Sequence, residues 1–391
     1  MKVLHLLRKN THLRASFIQN QIINHIEFEP HVIYCEERDD HFDGGFADNV
    51  EIDIPIHSIA DNPKFLARYA YKYLKLLSKS QKMKLHALVH EIKPDVIHLH
   101  YGTDAGIYLA ALADIKIPKI VSFYGYDCYS FPKRFFGLGK IILARRVFQH
   151  LTKALAMSPA MKQDLLSIGC PENKIQIHYH GVPTFLSSIN KTGITNQSTF
   201  SFLMLSYLDP VKGHDFVFNA LRLLIDRGVT NFKLKIVGDG HFRKILFAKV
   251  VALKLQLYVE FFGRVNYLSQ EYFNTFIGAD IFLHPSVKTK HDKEGIPGSL
   301  VEAMFAGLPV IATRHGGIPY VIEDHKTGLL VEENDTNALA ESIYKLMVDD
   351  SLREKLAKEA KAFAMRNLDI MIRESALETI YSECIIYQLK V

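Results

Sequence analysis

Short apolar runs recur along the chain, separated by longer stretches in which apolar positions return every three or four residues. In the first half the runs are VLHLL (3–7), HVIYC (31–35), DVIHLH (95–100), KIVSFY (119–124) and ALAMS (154–158). In the second half they are SFLMLS (201–206), KLKIVG (233–238), YVEFFG (258–263), DIFLHP (280–285), PVIAT (309–313) and GLLV (328–331). Several are almost continuously apolar, as parallel strands covered on both faces must be. Helical stretches between them predict right-handed strand–helix–strand units. The polar segment 184–199, rich in Ser, Thr and Asn, reads as a linker. The pattern predicts an α/β protein of two doubly wound, Rossmann-like domains, 1–185 and 186–391, with a cleft between them, and the last helix (about 370–391) left free to pack back on the first domain. In such sheets ligands sit beyond the carboxyl ends of the strands.

Composition narrows the class. The 391 residues are 48% hydrophobic and 23% charged, the balance of a folded chain with enough length for two or three cores. Four scattered cysteines with no CxxC pair argue against a disulfide scaffold and a cysteine-built zinc site, and suit a reducing cytoplasm. The five-residue apolar run near the N-terminus meets Arg8 and Lys9 at once, which suits a first strand better than a signal peptide. No uncharged run approaches the ~20 residues of a membrane span.

Net charge is +5, unevenly spread: residues 1–61 carry −6, whereas 62–153 carry +11 from 16 basic and 5 acidic side chains. One helix is predicted over 64–89, with an apolar stripe beside a basic face. The acid-free stretch 128–163 interleaves Lys133, Arg134, Lys140, Arg145, Arg146 and Lys153 with Phe131, Phe135, Phe136 and Leu138. Ordinary solvated basic helices are one reading. Docking of 64–86 and 131–146 on an anionic membrane surface is the other, each basic residue adding roughly 1 kcal/mol. No motif for RNA or DNA accompanies these segments, so nucleic acid is not an expected partner.

The strongest chemical signal is Glu294-Gly-Ile-Pro-Gly-Ser-Leu-Val-Glu302, followed by AMFAGLPVIA. Gly295, Pro297 and Gly298 keep the loop lean, and a helix over 299–306 is predicted to follow, stopped by Gly307. The N–H groups at such a helix start form an anion site suited to a diphosphate. Glu302 could accept hydrogen bonds from a vicinal diol, and Glu294 could grip another polyol. A capping carboxylate and a solvated surface glutamate are the plain alternative, weakened because both acids flank one glycine-bearing turn. Ser206-Tyr-Leu-Asp-Pro-Val-Lys212-Gly213-His214 follows a strand and opens a helix, where a lysine can lie against phosphates. Val237-Gly238-Asp-Gly240 and Phe262-Gly-Arg264-Val265 are strand ends with glycine turns, without GxGxxG spacing. His98-Leu-His100-Tyr-Gly102 and Ser122-Phe-Tyr124-Gly-Tyr-Asp127 follow strands of the first half. His98, His100 and Asp127 lack the spacing that would support a metal site.

Taken in order, these motifs resemble glycosyltransferase family 4, the retaining family with the GT-B fold. The stretch EGIPGSLVEAMFAGLPVIATRHGGIPYVIEDHKTGLLV (294–331) carries most of the likeness; VKGH, VGDG, FFGRV, ADIFLHPS, HLHYG and YGYD add to it. GGIP and YGYD look most like transferases of exopolysaccharide and colanic-acid-type biosynthesis. The resemblance implies that Glu302 holds the ribose hydroxyls of a nucleotide sugar and Glu294 a hydroxyl of the donor sugar. The backbone of Gly295, Ile296, Gly298, Ser299 and Leu300 would line diphosphate and sugar. Gly238 would stand at the ligand side, Lys212 would pair with the diphosphate, and Arg264 and Val265 would flank the base. Tyr124 and Asp127 would complete the catalytic set from the first domain. No metal ion and no cofactor are implied. Two positions depart from the pattern: Tyr207 stands where an Arg is usual, with Arg264, or Arg314 and His315, as possible substitutes, and Tyr124 stands where a His is usual.

The expected activity is transfer of a hexose from a UDP-sugar, with retention, to a lipid-linked saccharide in cell-surface polysaccharide synthesis. The expected place is the cytoplasm, peripherally attached to the inner face of the membrane. A catalytically weakened nucleotide-sugar-binding accessory protein is the rival. An epimerase would need an acid/base pair around the sugar, which the sequence does not offer.

Overall fold

A computed structural model describes residues 1–38, 53–61, 76–134, 136–189, 199–290 and 292–390. The chain divides into two units: Met1–Gly181 together with Ile370–Val391, and Val182–Asp369. The change of unit thus falls at 181/182, a little before the linker composition suggested, and the final helix belongs to the first unit. Gly181 shows why. Its φ is +74°, and a Cβ there would stand 2.8 Å from the Cα of Ile370, so a side chain would block the closest approach of the two passing segments.

The first unit is built on a seven-stranded sheet ordered β3-β2-β1-β4-β5-β6-β7. The strands are β1 (Lys2–Lys9), β2 (Glu29–Glu36), β3 (Ile56–Ser58), β4 (Val96–His100), β5 (Lys119–Phe123), β6 (Lys153–Ala156) and β7 (Ile175–Ile177). Every neighbouring pair is parallel. The order reverses direction between β1 and β4, the switch point of a doubly wound sheet. β4 and β5 are buried at every residue, which is why their sequences do not alternate. The final helix Ile370–Lys390 covers one face: Leu377, Ile380, Tyr381 and Cys384 share a core with Val3, Phe28, Val96, Ile120 and Leu155.

The second unit has six parallel strands ordered β10-β9-β8-β11-β12-β13. They are β8 (Phe200–Leu205), β9 (Phe232–Val237), β10 (Val259–Gly263), β11 (Ile281–His284), β12 (Val310–Thr313) and β13 (Leu329–Val331). Here the switch point lies between β8 and β11.

All eleven apolar runs of the sequence are strands. The two strands the pattern missed, β3 and β7, have three residues each and stand at the sheet edges, too short and too exposed to leave a periodic trace. The basic helix expected over 64–89 does not run through residues 76–78, which are not helical: Ser78 caps the helix Lys79–Ile92 through a capping box with Gln81. The Ser78 hydroxyl accepts from the Gln81 N–H, and the Gln81 carboxamide accepts from the Ser78 N–H, both at 3.0 Å. The part of the expected helix at 64–75, and Phe135, lie outside the described residues.

Candidate active site

In the second unit three strand ends converge at the switch point. β8 leads to a single turn, Pro210–Lys212, capped by Asp209, whose carboxylate accepts from the Val211 N–H at 3.1 Å. Gly213 then turns with φ +70° into the helix His214–Asp226. A Cβ on Gly213 would lie 1.9 Å from the carbonyl of Pro285, just beyond β11, so the turn sits directly on the next strand's exit loop. That contact brings Lys212 to Glu294, which stands in the loop between β11 and the helix Gly298–Phe305. The Lys212 ammonium donates to both Glu294 oxygens at 2.7 Å. The Ser286 hydroxyl donates to Oε2 at 2.9 Å, and His284 Nε2 lies 3.4 Å from the same oxygen. Burial opposes ionisation of Glu294, but Lys212 and the His284 hydrogen bond outweigh it and hold the carboxyl well below the usual range. The two residues read separately in the sequence are therefore one ion pair.

The loop carrying Glu294 is fixed from behind by TRHGG. The Glu294 N–H donates to His315 Nε2 at 2.9 Å, so Nε2 is the acceptor and the imidazole proton sits on Nδ1, 2.7 Å from Glu333. Gly316 has φ +54°, and a Cβ there would collide with the Glu294 carbonyl at 2.1 Å. Gly317 donates its N–H to the Gly295 carbonyl at 3.0 Å. The double glycine lets two loops lie backbone to backbone. His315, Glu333, Ser286 and His284 were not singled out for this role by the sequence. The signal was the HPS that ends β11 and the RHGG that follows β12, at matching strand ends.

Helix Gly298–Phe305 starts as expected, one residue early, with Ile296 and Leu300 buried and Gly295, Gly298 and Ser299 half-buried. Glu302 is buried one turn inside it. Its neighbour is the buried Tyr272 hydroxyl. Burial pushes the Glu302 carboxyl up to about 7, the tyrosine pulling only weakly the other way. Gly238 closes β9 with φ +134°, its missing Cβ allowing contact with the Ser206 carbonyl at the end of β8. Arg264 and Val265 follow β10, the arginine exposed. Arg314 is not a second cation beside Lys212: it pairs with Asp324 at 2.6 Å and Glu332 at 3.2 Å. Nor is His315, which serves as a neutral strut.

In the first unit Tyr124 follows β5, half-buried, its hydroxyl 2.7 Å from His100 Nδ1. Its ring packs on Phe17 and Tyr101, each with centroids 4.8 Å away. Asp127 is held by the backbone around it. It is fully buried; Oδ1 accepts from the Tyr124 and Gly125 N–H groups at 3.1 Å and Oδ2 from the Gly102 N–H at 2.7 Å. Burial raises it to about 6 against those backbone donors. Through these bonds Asp127 ties together the loops after β4 and β5. His5, His98 and His100 place ring nitrogens within 4.8 Å of one another, and each ring nitrogen already has a side-chain partner.

Residues 27–185 match the family model "Glycosyltransferase Family 4", and residues 189–363 match "Glycosyl transferases group 1". WcaL of Escherichia coli, whose name places it as a glycosyltransferase of colanic acid biosynthesis, is 30% identical over 68% of this chain and 66% of its own length. The amylovoran biosynthesis glycosyltransferase AmsK of Erwinia amylovora is 29% identical over 76% of this chain and 74% of its own. The alignment thus spans about two thirds of WcaL. Among solved structures, Anabaena HepE in complex with UDP superposes with a TM-score of 0.76 at 19% identity, over 98% of this chain and 100% of that one. With two parallel-sheet units, matching family models along both and these relatives, the chain belongs to glycosyltransferase family 4 and has the GT-B fold.

Proposed function

We propose that the protein transfers a hexose from a UDP-sugar, with retention, to a lipid-linked saccharide during exopolysaccharide synthesis. The observation that carries this is the Lys212–Glu294 pair at the switch point, beside a lean helix start and a buried Glu302. The relatives in colanic acid and amylovoran synthesis support the pathway class, and HepE, solved with UDP-glucose, supports a uridine donor.

In this reading the diphosphate lies on the N–H groups of Gly298, Ser299 and Leu300, where the helix dipole favours negative charge. Lys212, held in place by Glu294, supplies the positive charge that stabilises the departing diphosphate. Glu302 accepts from the ribose hydroxyls, and Glu294 also orients a sugar hydroxyl. The acceptor hydroxyl attacks on the face from which the diphosphate leaves, and a diphosphate oxygen takes its proton, so no protein base is required. Charge neutralisation by Lys212 and the helix start does the work that a cation does elsewhere. The first unit carries the acceptor. Peripheral attachment to the inner face of the membrane is supported by Phe136, Leu138 and Ile141, all exposed, beside Lys133, Arg134, Lys140 and Arg145.

The test is a panel of UDP-, GDP- and ADP-sugars with linkage and anomeric configuration read by NMR. One UDP-hexose is expected to turn over, and Lys212→Ala is expected to lower kcat by about 10²–10³-fold, the range for losing one preorganised charge donor. Full transfer by Lys212→Ala would refute the assignment. UDP binding by calorimetry with no turnover across the panel would favour the accessory role instead.

A further inference from the structure

The buried face of the first sheet holds a line of side-chain hydrogen bonds, His25–His5–His100–Tyr124, with an ion-pair contact at its start. It begins on the final helix, where Glu374 Oε1 lies 2.6 Å and Glu378 Oε1 3.3 Å from His25 Nδ1. His25 Nε2 lies 2.8 Å from His5 Nε2, His5 Nδ1 lies 3.0 Å from His100 Nε2, and His100 Nδ1 lies 2.7 Å from the Tyr124 hydroxyl. His5 and His100 are fully buried, on β1 and β4 at the switch point, and Tyr124 stands at the carboxyl end of β5. Fully desolvated imidazoles in such a line share protons rather than carry charges.

With His5 and His100 neutral and both carboxylates ionised, two proton arrangements satisfy every contact. If His25 is a cation, Nδ1–H faces Glu374 and Nε2–H is donated to His5. His5 and His100 then both carry their proton on Nδ1, and His100 donates to the Tyr124 oxygen. The phenol proton is left pointing away from the line. If His25 is neutral with its proton on Nδ1, every donor reverses, and the Tyr124 proton turns inward to His100. The surroundings choose the first arrangement. Burial disfavours a charge on His25, but Glu374 and Glu378 overcome it and raise the imidazole to about 8. His98 lies between Tyr381 and Ser122, at 2.5 and 2.8 Å, and the Ser122 hydroxyl also stands beside the Tyr124 hydroxyl. Glu378 also accepts from the N–H groups of Ile26, Glu27 and Phe28.

We propose that His25, His5 and His100 form a one-way hydrogen-bond relay that holds the Tyr124 hydroxyl as an outward donor to an oxygen of a bound saccharide. The three histidines are positioning residues, acting through Tyr124. This rests on the transferase reading given above, and it gives the tyrosine that stands in place of a histidine a defined polarity. A neutral imidazole can offer a donor or an acceptor. A phenol backed by a donating His100 offers its proton.

The relay is tested first in the wild-type full chain by imidazole 15N NMR near pH 7. His5 and His100 are expected as Nδ1–H tautomers and His25 as the cation. Nε2–H tautomers at His5 and His100 would overturn the proposal, whether or not any sugar donor turns over. The second arm uses the identified donor with Tyr124→Phe, which removes one oxygen, and His25→Gln, which keeps a polar side chain without the charge. Loss of a donor bond made to the reacting sugar is expected to lower kcat about tenfold with KM changed less than about twofold. In His25→Gln the His100 signal is expected to move toward the other tautomer. Unchanged kcat in both variants at wild-type melting temperature would overturn the relay while leaving the transferase assignment standing.

Discussion

Glu302 is a carboxyl buried beside the Tyr272 phenol, and that setting has a measurable consequence. Its ionisation is pushed up to about 7 by burial, so near neutrality it is half protonated. A carboxylate can accept from both hydroxyls of a diol, whereas the protonated acid gives up part of that capacity. UDP affinity is therefore expected to fall as pH drops below about 7, by as much as tenfold per unit, and to level off above it. Calorimetry between pH 5.5 and 8.5 checks this, with Glu302→Gln expected to bind weakly at every pH. A flat wild-type profile would mean that Glu302 does not hold the diol. At this scale the sequence named Glu294, Lys212 and Glu302 but not their relation. Glu294 and Lys212 stand 82 residues apart, and only the adjacency of β8 and β11 makes them an ion pair.

Loops at the ends of β8, β11 and β12 are held backbone to backbone, and glycine is what permits it. Gly213 and Gly316 combine a left-handed φ with a carbonyl at 1.9 and 2.1 Å from the position a Cβ would take. Alanine at either site is expected to cost about 1–3 kcal/mol from backbone strain alone. Gly316→Ala should also displace Glu294 and weaken UDP binding more than Gly213→Ala at equal loss of stability. Thermal melts with and without UDP compare the two. A Gly316→Ala protein that melts and binds like wild type would remove the double glycine from the account of the site. The strands themselves were legible because each is an apolar run. Helix starts were less so: the capping box at Ser78 is a two-residue local signal inside a longer apolar–basic periodicity, and the local signal won.

For the whole molecule the final helix is the decisive element. Its Leu377 and Tyr381 are fully buried against the first sheet, and Glu374 and Glu378 anchor His25. Each large apolar side chain removed from water contributes about 1.5–3 kcal/mol, so ending the chain at Asp369 removes a sum comparable to a domain's entire stability. Hydrogen exchange of the truncated chain is expected to show lost protection in β1, β4 and β5 while β8–β13 stay protected. Equal protection in both units would show that the helix is dispensable. The proposed membrane attachment also belongs to this scale. Flotation is expected with vesicles containing anionic lipid, weaker at high salt as exposed charges are screened. Equal flotation with neutral vesicles would refute the electrostatic part.

By itself the sequence determined the class of fold, the strands and the neighbourhood of the site, because buried parallel strands must be apolar runs and a loop pressed on its neighbours must carry glycine. What tertiary structure alone decided were relations across the chain. It made Asp127 a backbone anchor, Arg314 a surface ion pair and His315 a strut. It also joined the last helix to the first sheet, so that residues 374 and 25 share a proton network. Periodicity records which face of one element is buried, but not which partner at a distance takes up each polar atom there.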